Sequence, residues 1–152
     1  TIILDEAIIK HVGLTRQQID YQVNQVRANI KQRSLLYHKD RRPLLISGRT
    51  VIIVDDGLAS GYTMKAAIAS IRKRKPASVI AAVPVGPERV IEDIRKVADR
   101  VVTCVTGTNP EFYVSDYYRA WYDTTDNEVL TCLKDFKMRR GGSRINLPDR
   151  KQ

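Results

Sequence analysis

No stretch of this chain approaches the roughly 20 consecutive apolar residues that a bilayer-spanning helix needs. A charged, apolar and small-residue leader of the secretory kind is also absent. Cysteine is scarce: Cys104 and Cys132 lie far apart in sequence and lack metal-ligand spacing, so neither a disulfide framework nor a zinc motif is indicated. The two histidines, His11 and His38, have no partner pattern and read as ordinary surface residues. No internal repeat and no second domain is visible. These absences exclude membrane and disulfide-scaffold classes and lead to the expectation of a cytoplasmic protein. The chain opens on Thr1 rather than Met, which is read as processing or as a piece of something longer.

Acid is also in short supply. Lys and Arg number 26 against 17 Asp and Glu, a formal net charge of +9. Such a balance suits anionic small molecules or nucleic acid, and equally a merely soluble basic surface. The excess gathers at Arg72-Lys73-Arg74-Lys75 and again over residues 134–151. Aromatic residues are not interleaved there, so RNA binding through stacking is not favoured. With 152 residues and 43% apolar content, the chain can bury one real core.

Val51-Ile52-Ile53-Val54-Asp55-Asp56-Gly57-Leu58-Ala59-Ser60-Gly61-Tyr62-Thr63-Met64 is the most informative run. Its β-branched residues predict a short buried strand over 50–54. Two carboxylates follow at the carboxyl end of that strand, then a loop of small residues, then a helix over 63–73. Ligands of open α/β sheets lie beyond the carboxyl ends of the strands. First-turn N–H groups of a helix have no internal partners, and the dipole favours an anion beside them. Gly61 permits a close backbone approach and a positive φ, while Ser60 and Thr63 add hydroxyls. Asp55 and Asp56 suit the vicinal hydroxyls of a ribose, directly or through a divalent cation. A capping and solvent-facing pair is the plainer reading, but adjacent carboxylates at a buried strand end repel each other. Phosphate on one side and a diol on the other describe a ribose 5-phosphate.

Around this device the elements alternate. Leu14-Thr15-Arg16-Gln17-Gln18-Ile19 carries a capping box and a hydrophobic staple. Ile19, Val23, Val26 and Ile30 continue it as one helical stripe over 16–33, packed either on the chain's own sheet or on another subunit. Ile2 to Leu4 reads as a short strand within 1–4. Asp40-Arg41-Arg42-Pro43 and Ser47-Gly48-Arg49 are turns. Further strands are expected over 78–84 and 100–105, with a helix over 87–97 between them and a loop over 106–110. The alternation implies parallel strands with right-handed crossovers. Phe112-Tyr113-Val114 is expected as a short strand, and Thr125-Asp126-Asn127-Glu128 as a second capping box opening a helix to about residue 136. The expected organisation is one domain over 1–136 and a basic tail over 137–152.

The run from Val51 to Met64 resembles the PRPP-binding signature of type I phosphoribosyltransferases (PRPP is 5-phosphoribosyl 1-diphosphate). A wider resemblance to phosphoribosyltransferase-domain proteins of bacteria and archaea extends over 1–136. It includes Ala81-Ala82-Val83-Pro84-Val85, Tyr118-Arg119-Ala120-Trp121-Tyr122-Asp123 and Asp126-Asn127-Glu128-Val129. The resemblance implies a Rossmann-like parallel-sheet fold and transfer of ribose 5-phosphate from PRPP to a nitrogenous base, with release of diphosphate. It implies that Asp55 and Asp56 bind the ribose hydroxyls, with Mg²⁺ bridging them to the diphosphate. It further implies that Ala59, Ser60, Gly61, Tyr62 and Thr63 wrap the 5-phosphate, and that Phe112, Tyr113, Val114, Tyr122 and Asp123 contribute to the acceptor-base pocket. For these aromatics a core or interface cluster is the alternative. Ala59 stands where the hypoxanthine-guanine branch has a proton-handling Asp, which disfavours a 6-oxopurine activated in that way. Asp99 matches an acidic residue before the third strand and reads as structural.

The family's earlier strands, with a Gly-rich turn and an Arg-Lys pair for the diphosphate, find no match. Arg41-Arg42 and Gly48-Arg49 come nearest and do not fit. The core is therefore expected to be N-terminally incomplete, with an open edge and a partly bare apolar face. A homodimer is the simplest way to cover them. A non-catalytic PRPP or nucleotide sensor, with RNA as a further partner, is the alternative function, and a vestigial site the third.

Overall fold

A computed structural model describes residues 1–38 and 44–142, with side chains for all of these except residues 38 and 137–142. The turn expected at Asp40 to Pro43, the side chain of His38 and the basic segment beyond residue 142 lie outside the described residues.

Three parallel strands form the sheet: β1 (Thr50–Val54), β2 (Ser78–Pro87) and β3 (Arg100–Gly107), in the order β1-β2-β3. Thr50 pairs with Ser78 and Ile80 with Arg100. Successive helices α1 (Glu6–Val12) and α2 (Arg16–His38) precede the sheet. Helix α3 (Tyr62–Arg72) crosses from β1 to β2, and α4 (Glu88–Arg95) from β2 to β3. A 3₁₀ turn at Val114–Tyr117 and α5 (Asp126–Gly142) are the last of the described elements.

Each crossover steps one strand in the same direction, so right-handedness lays α3 and α4 on one face of the sheet. That face holds the core. Val79, Ala81 and Val83 of β2 alternate inward and meet Met64 and Ile68 of α3 and Val90, Ile91 and Ile94 of α4, all buried. Partly buried Ile53, Ile71 and Val101 close its margins. The opposite face is bare: Ile52, Val54 and Val102 remain 60%, 74% and 43% exposed.

Asp99 fastens the amino end of the sheet. Its carboxylate accepts a 2.6 Å hydrogen bond from the Val79 N–H and pairs with Arg72 of α3 at 3.0 Å. The guanidinium holds the Asp99 carboxyl below the usual carboxylate range. This is the structural role expected of it.

Both capping boxes form. Thr15 and Gln18 exchange hydrogen bonds at the start of α2, as do Thr125 and Glu128 at the start of α5.

Other expectations need correction. No strand forms at residues 1–4; Ile2 and Leu4 instead line a groove with Ile19 and Val23 of α2, because the helical stripe offers them an apolar partner. That groove takes the first half of the stripe, while Val26 and Ile30 stay 54% and 63% exposed. Helix α1 was not anticipated. Asp5 accepts the Ile8 N–H at 2.9 Å to start it, and Gly13, at φ 71°, ends it. The expected strand at Phe112 to Val114 is replaced by the 3₁₀ turn that begins at Val114. Helix α5 continues past residue 136 to Gly142.

Candidate functional site

The motif run is held from beneath. The Asp55 N–H donates to the Ala82 carbonyl at 3.3 Å and the Leu58 N–H to the Val85 carbonyl at 2.9 Å, so the loop runs along the carboxyl end of β2. Leu58, only 2% exposed, is the apolar peg that anchors it in the core. Gly61 then turns the chain into α3 with φ 77°. A Cβ there would lie 2.6 Å from Val90 Cγ1. The glycine is therefore needed for close approach to α4, on the side away from any ligand, as well as for its φ.

No side chain caps α3. Its start, at Gly61, Thr63 and Met64, borders a cavity of about 410 Å³ together with Ser60 and the acidic pair. Asp55, Asp56, Gly57, Leu58, Ala59, Ser60, Gly61, Thr63 and Met64 line one side. Phe112, Tyr113, Val114, Ser115 and Trp121 line the other. Gly57 allows this second wall to close in, because a Cβ at that position would meet Val114 Cγ1 at 2.5 Å.

Among the described residues neither Asp55 nor Asp56 is paired with a cation. Asp55 is half-buried and accepts the Asp56 N–H at 3.1 Å. Burial pushes the Asp55 carboxyl above its ordinary value, and the neighbouring Asp56 charge pushes the same way. No cluster of three or more His, Cys, Asp or Glu that could hold a metal occurs among the described residues. Two adjacent, cation-free carboxylates at a cleft suit Mg²⁺ carried in with phosphates, since that ion keeps its waters and takes only one or two protein carboxylates.

Most of the residues singled out from sequence meet at this cavity: Asp55, Asp56, Ala59, Ser60, Gly61, Thr63, Phe112, Tyr113 and Val114. The side chain of Tyr62 points elsewhere, its hydroxyl donating to Asp5 at the start of α1 and its ring beneath the Lys65 ammonium. Tyr122 and Asp123 do not line the cavity. Tyr122 is 65% exposed and hydrogen-bonds toward Glu128 of α5. Trp121 takes the place expected of them, held edge-on to Tyr118 with ring centroids 5.2 Å apart. Five aromatic residues in a ten-residue stretch signalled a cluster, but with no regular period nothing indicated which ring would face inward.

Known proteins resemble this chain in fold and in sequence. The described core superposes on the crystal structure of TT1426 from Thermus thermophilus with a TM-score of 0.68 and 25% identity, over 89% of this chain and 63% of that one. The chain is 30% identical over 131 residues to proteins of Mycobacterium tuberculosis strains H37Rv and CDC 1551 named "Putative phosphoribosyl transferase" Rv0571c and MT0597. These matches take in 86% of this chain and 29% of the relatives, so the chain spans less than a third of their length. Residues 6–120 match the phosphoribosyl transferase domain family, and the chain belongs to that family.

Proposed function

We propose that the cavity binds the ribose 5-phosphate portion of PRPP, and that the chain acts as a phosphoribosyltransferase or as its PRPP-binding portion. The carrying observation is the uncapped α3 N-terminus opening on the same cavity as a cation-free acidic pair. The 5-phosphate would receive the N–H groups of Ser60 to Thr63 and the hydroxyls of Ser60 and Thr63. Asp55 and Asp56 would accept the ribose hydroxyls. Mg²⁺, when bound with the donor, would neutralise the diphosphate as it leaves. Transfer to a ring nitrogen develops positive charge at the anomeric carbon, and the two carboxylates favour that charge electrostatically. The phosphate grip contributes positioning, as a remote handle on the reacting carbon. Phe112, Tyr113 and Val114 would form part of the acceptor-base pocket. Ala59 offers no titratable group, so the acceptor would need no proton removed at that position.

Replacing both acids, Asp55→Asn with Asp56→Asn, is expected to weaken PRPP binding in the presence of Mg²⁺ by about tenfold or more in calorimetry, as befits loss of charge-assisted hydrogen bonds. Unchanged affinity would remove the assignment.

A second reading is favoured by one observation: none of the described residues lining the cavity is Lys or Arg. The departing diphosphate thus has no cationic partner there, which suits a chain that binds PRPP without turning it over. Diphosphate release from PRPP with a panel of bases separates the two readings. Turnover supports the transferase, and binding without turnover the sensor.

We also take a second copy of the chain as a partner, because Ile52, Val54 and Val102 leave the bare sheet face apolar. Light scattering is expected to show association, and a stable soluble monomer would contradict it.

A further inference from the structure

The two walls of the cavity come from segments far apart in the chain, and one side chain joins them. The Tyr118 hydroxyl donates a 2.6 Å hydrogen bond to the backbone carbonyl of Asp56. The same ring meets Trp121 edge-on, centroids 5.2 Å apart and planes at 63°. Trp121 lines the cavity; Tyr118 does not. Just before Tyr118 lies the 3₁₀ turn, whose Val114 sits so close to Gly57 that a Cβ on that glycine would lie 2.5 Å from Val114 Cγ1.

We infer that Tyr118 is a positioning residue: it locks the Trp121 wall to the acidic pair, so that a planar heterocycle on Trp121 is held in fixed relation to a ribose on Asp55 and Asp56. This deepens the ribose 5-phosphate reading and rests on it. Three features carry it. The hydrogen bond reaches the backbone of a proposed ribose ligand rather than its carboxylate, so it fixes position without consuming an acceptor oxygen. Trp121 lines the cavity while meeting Tyr118 with ring planes at 63°, so the two rings are not stacked in parallel on each other. Trp121 also remains 46% exposed although it packs on a neighbouring ring, which leaves surface for a ligand to cover.

The chain has one tryptophan, so its own fluorescence reports on this wall. The full chain is titrated with ribose 5-phosphate and, separately, with purine and pyrimidine nucleoside 5′-monophosphates, by calorimetry and by fluorescence. The monophosphates are expected to bind more tightly than ribose 5-phosphate and to quench the tryptophan; ribose 5-phosphate is expected to bind without quenching. Tyr118→Phe keeps the ring and loses one hydrogen bond. It is expected to weaken the monophosphates about fivefold while leaving ribose 5-phosphate unaffected. Trp121→Phe, which keeps a stacking ring, is expected to retain part of the heterocycle's advantage, and Trp121→Ala to abolish it. A merely structural role for Tyr118 would weaken both ligands together.

Equal weakening of both ligands, or wild-type affinity for both, in the Tyr118→Phe variant overturns the inference. Ribose 5-phosphate binding with no advantage for the monophosphates also overturns it, and leaves the ribose 5-phosphate reading standing. Failure of the wild-type chain to bind ribose 5-phosphate overturns that reading and this inference with it.

Discussion

Asp55 carries its charge against two opposing influences, burial at the end of β1 and the adjacent Asp56 carboxylate. The ionised form accepts the hydroxyls of a diol most strongly, through two charged oxygens. Because the carboxyl is raised above the ordinary value of 3.8, its ionised fraction in mildly acidic solution is smaller than that of a surface aspartate. Affinity for ribose 5-phosphate is therefore expected to fall as pH is lowered through that raised value, at a higher pH than an unperturbed Asp would give. Calorimetry across acidic pH checks this, and Asp55→Asn is expected to weaken binding and flatten the profile. A ligand profile identical in wild type and variant would show that Asp55 does not meet the sugar. The acidic pair was legible in sequence because its position after a β-branched run has few structural uses. The part taken by Trp121 was not. Tyr118 and Asp56 are 62 residues apart, and the hydrogen bond between them has no local signature.

Helices α3 and α4 share one face of the sheet and are tied to each other by charge at their exposed margins. Asp93 of α4 accepts from Lys96 at 2.8 Å and from Lys65 of α3 at 3.1 Å. The two ammonium groups, Lys96 foremost, hold the Asp93 carboxyl down to about 2. A depressed carboxylate contributes stability above its unfolded value of 3.8 and loses it as pH falls through about 2. Urea unfolding in this acid window is expected to show a smaller pH dependence in Asp93→Asn than in the wild type. Because Asp93 is only half-buried and Lys96 lies open to solvent, the difference is expected to be small. The same element pair shows what was readable and what was not. Strands β1, β2 and β3 and the helices between them follow from apolar runs punctuated by Gly and Pro, and the observed β1 coincides with the expected 50–54. The amino-terminal elements did not follow. Ile2 and Leu4 look like strand residues until α2 is seen to supply their apolar neighbour, and α1 depends on an Asp5 cap whose other oxygen takes a bond from Tyr62, 57 positions away.

At the scale of the whole molecule the sheet is one-sided. Alternation along β2 buries Val79, Ala81 and Val83 under α3 and α4, and leaves the other face open from Ile52 to Val102. The site lies at the carboxyl end of this sheet. The basic run Arg72 to Lys75 lies at the amino end, where the Lys75 carbonyl accepts from the Gly48 N–H just before β1. Two ends of opposite character thus compete for any anion: a neutral backbone cradle above and exposed cations below. Titrating ribose 5-phosphate into isotopically labelled protein, with every backbone amide followed by NMR, discriminates between them. The account predicts saturable shifts at the amides of Ser60, Gly61, Tyr62 and Thr63 and at Asp55 and Asp56. Shifts confined to Arg72, Lys73, Arg74 and Lys75, or none at all, would contradict it.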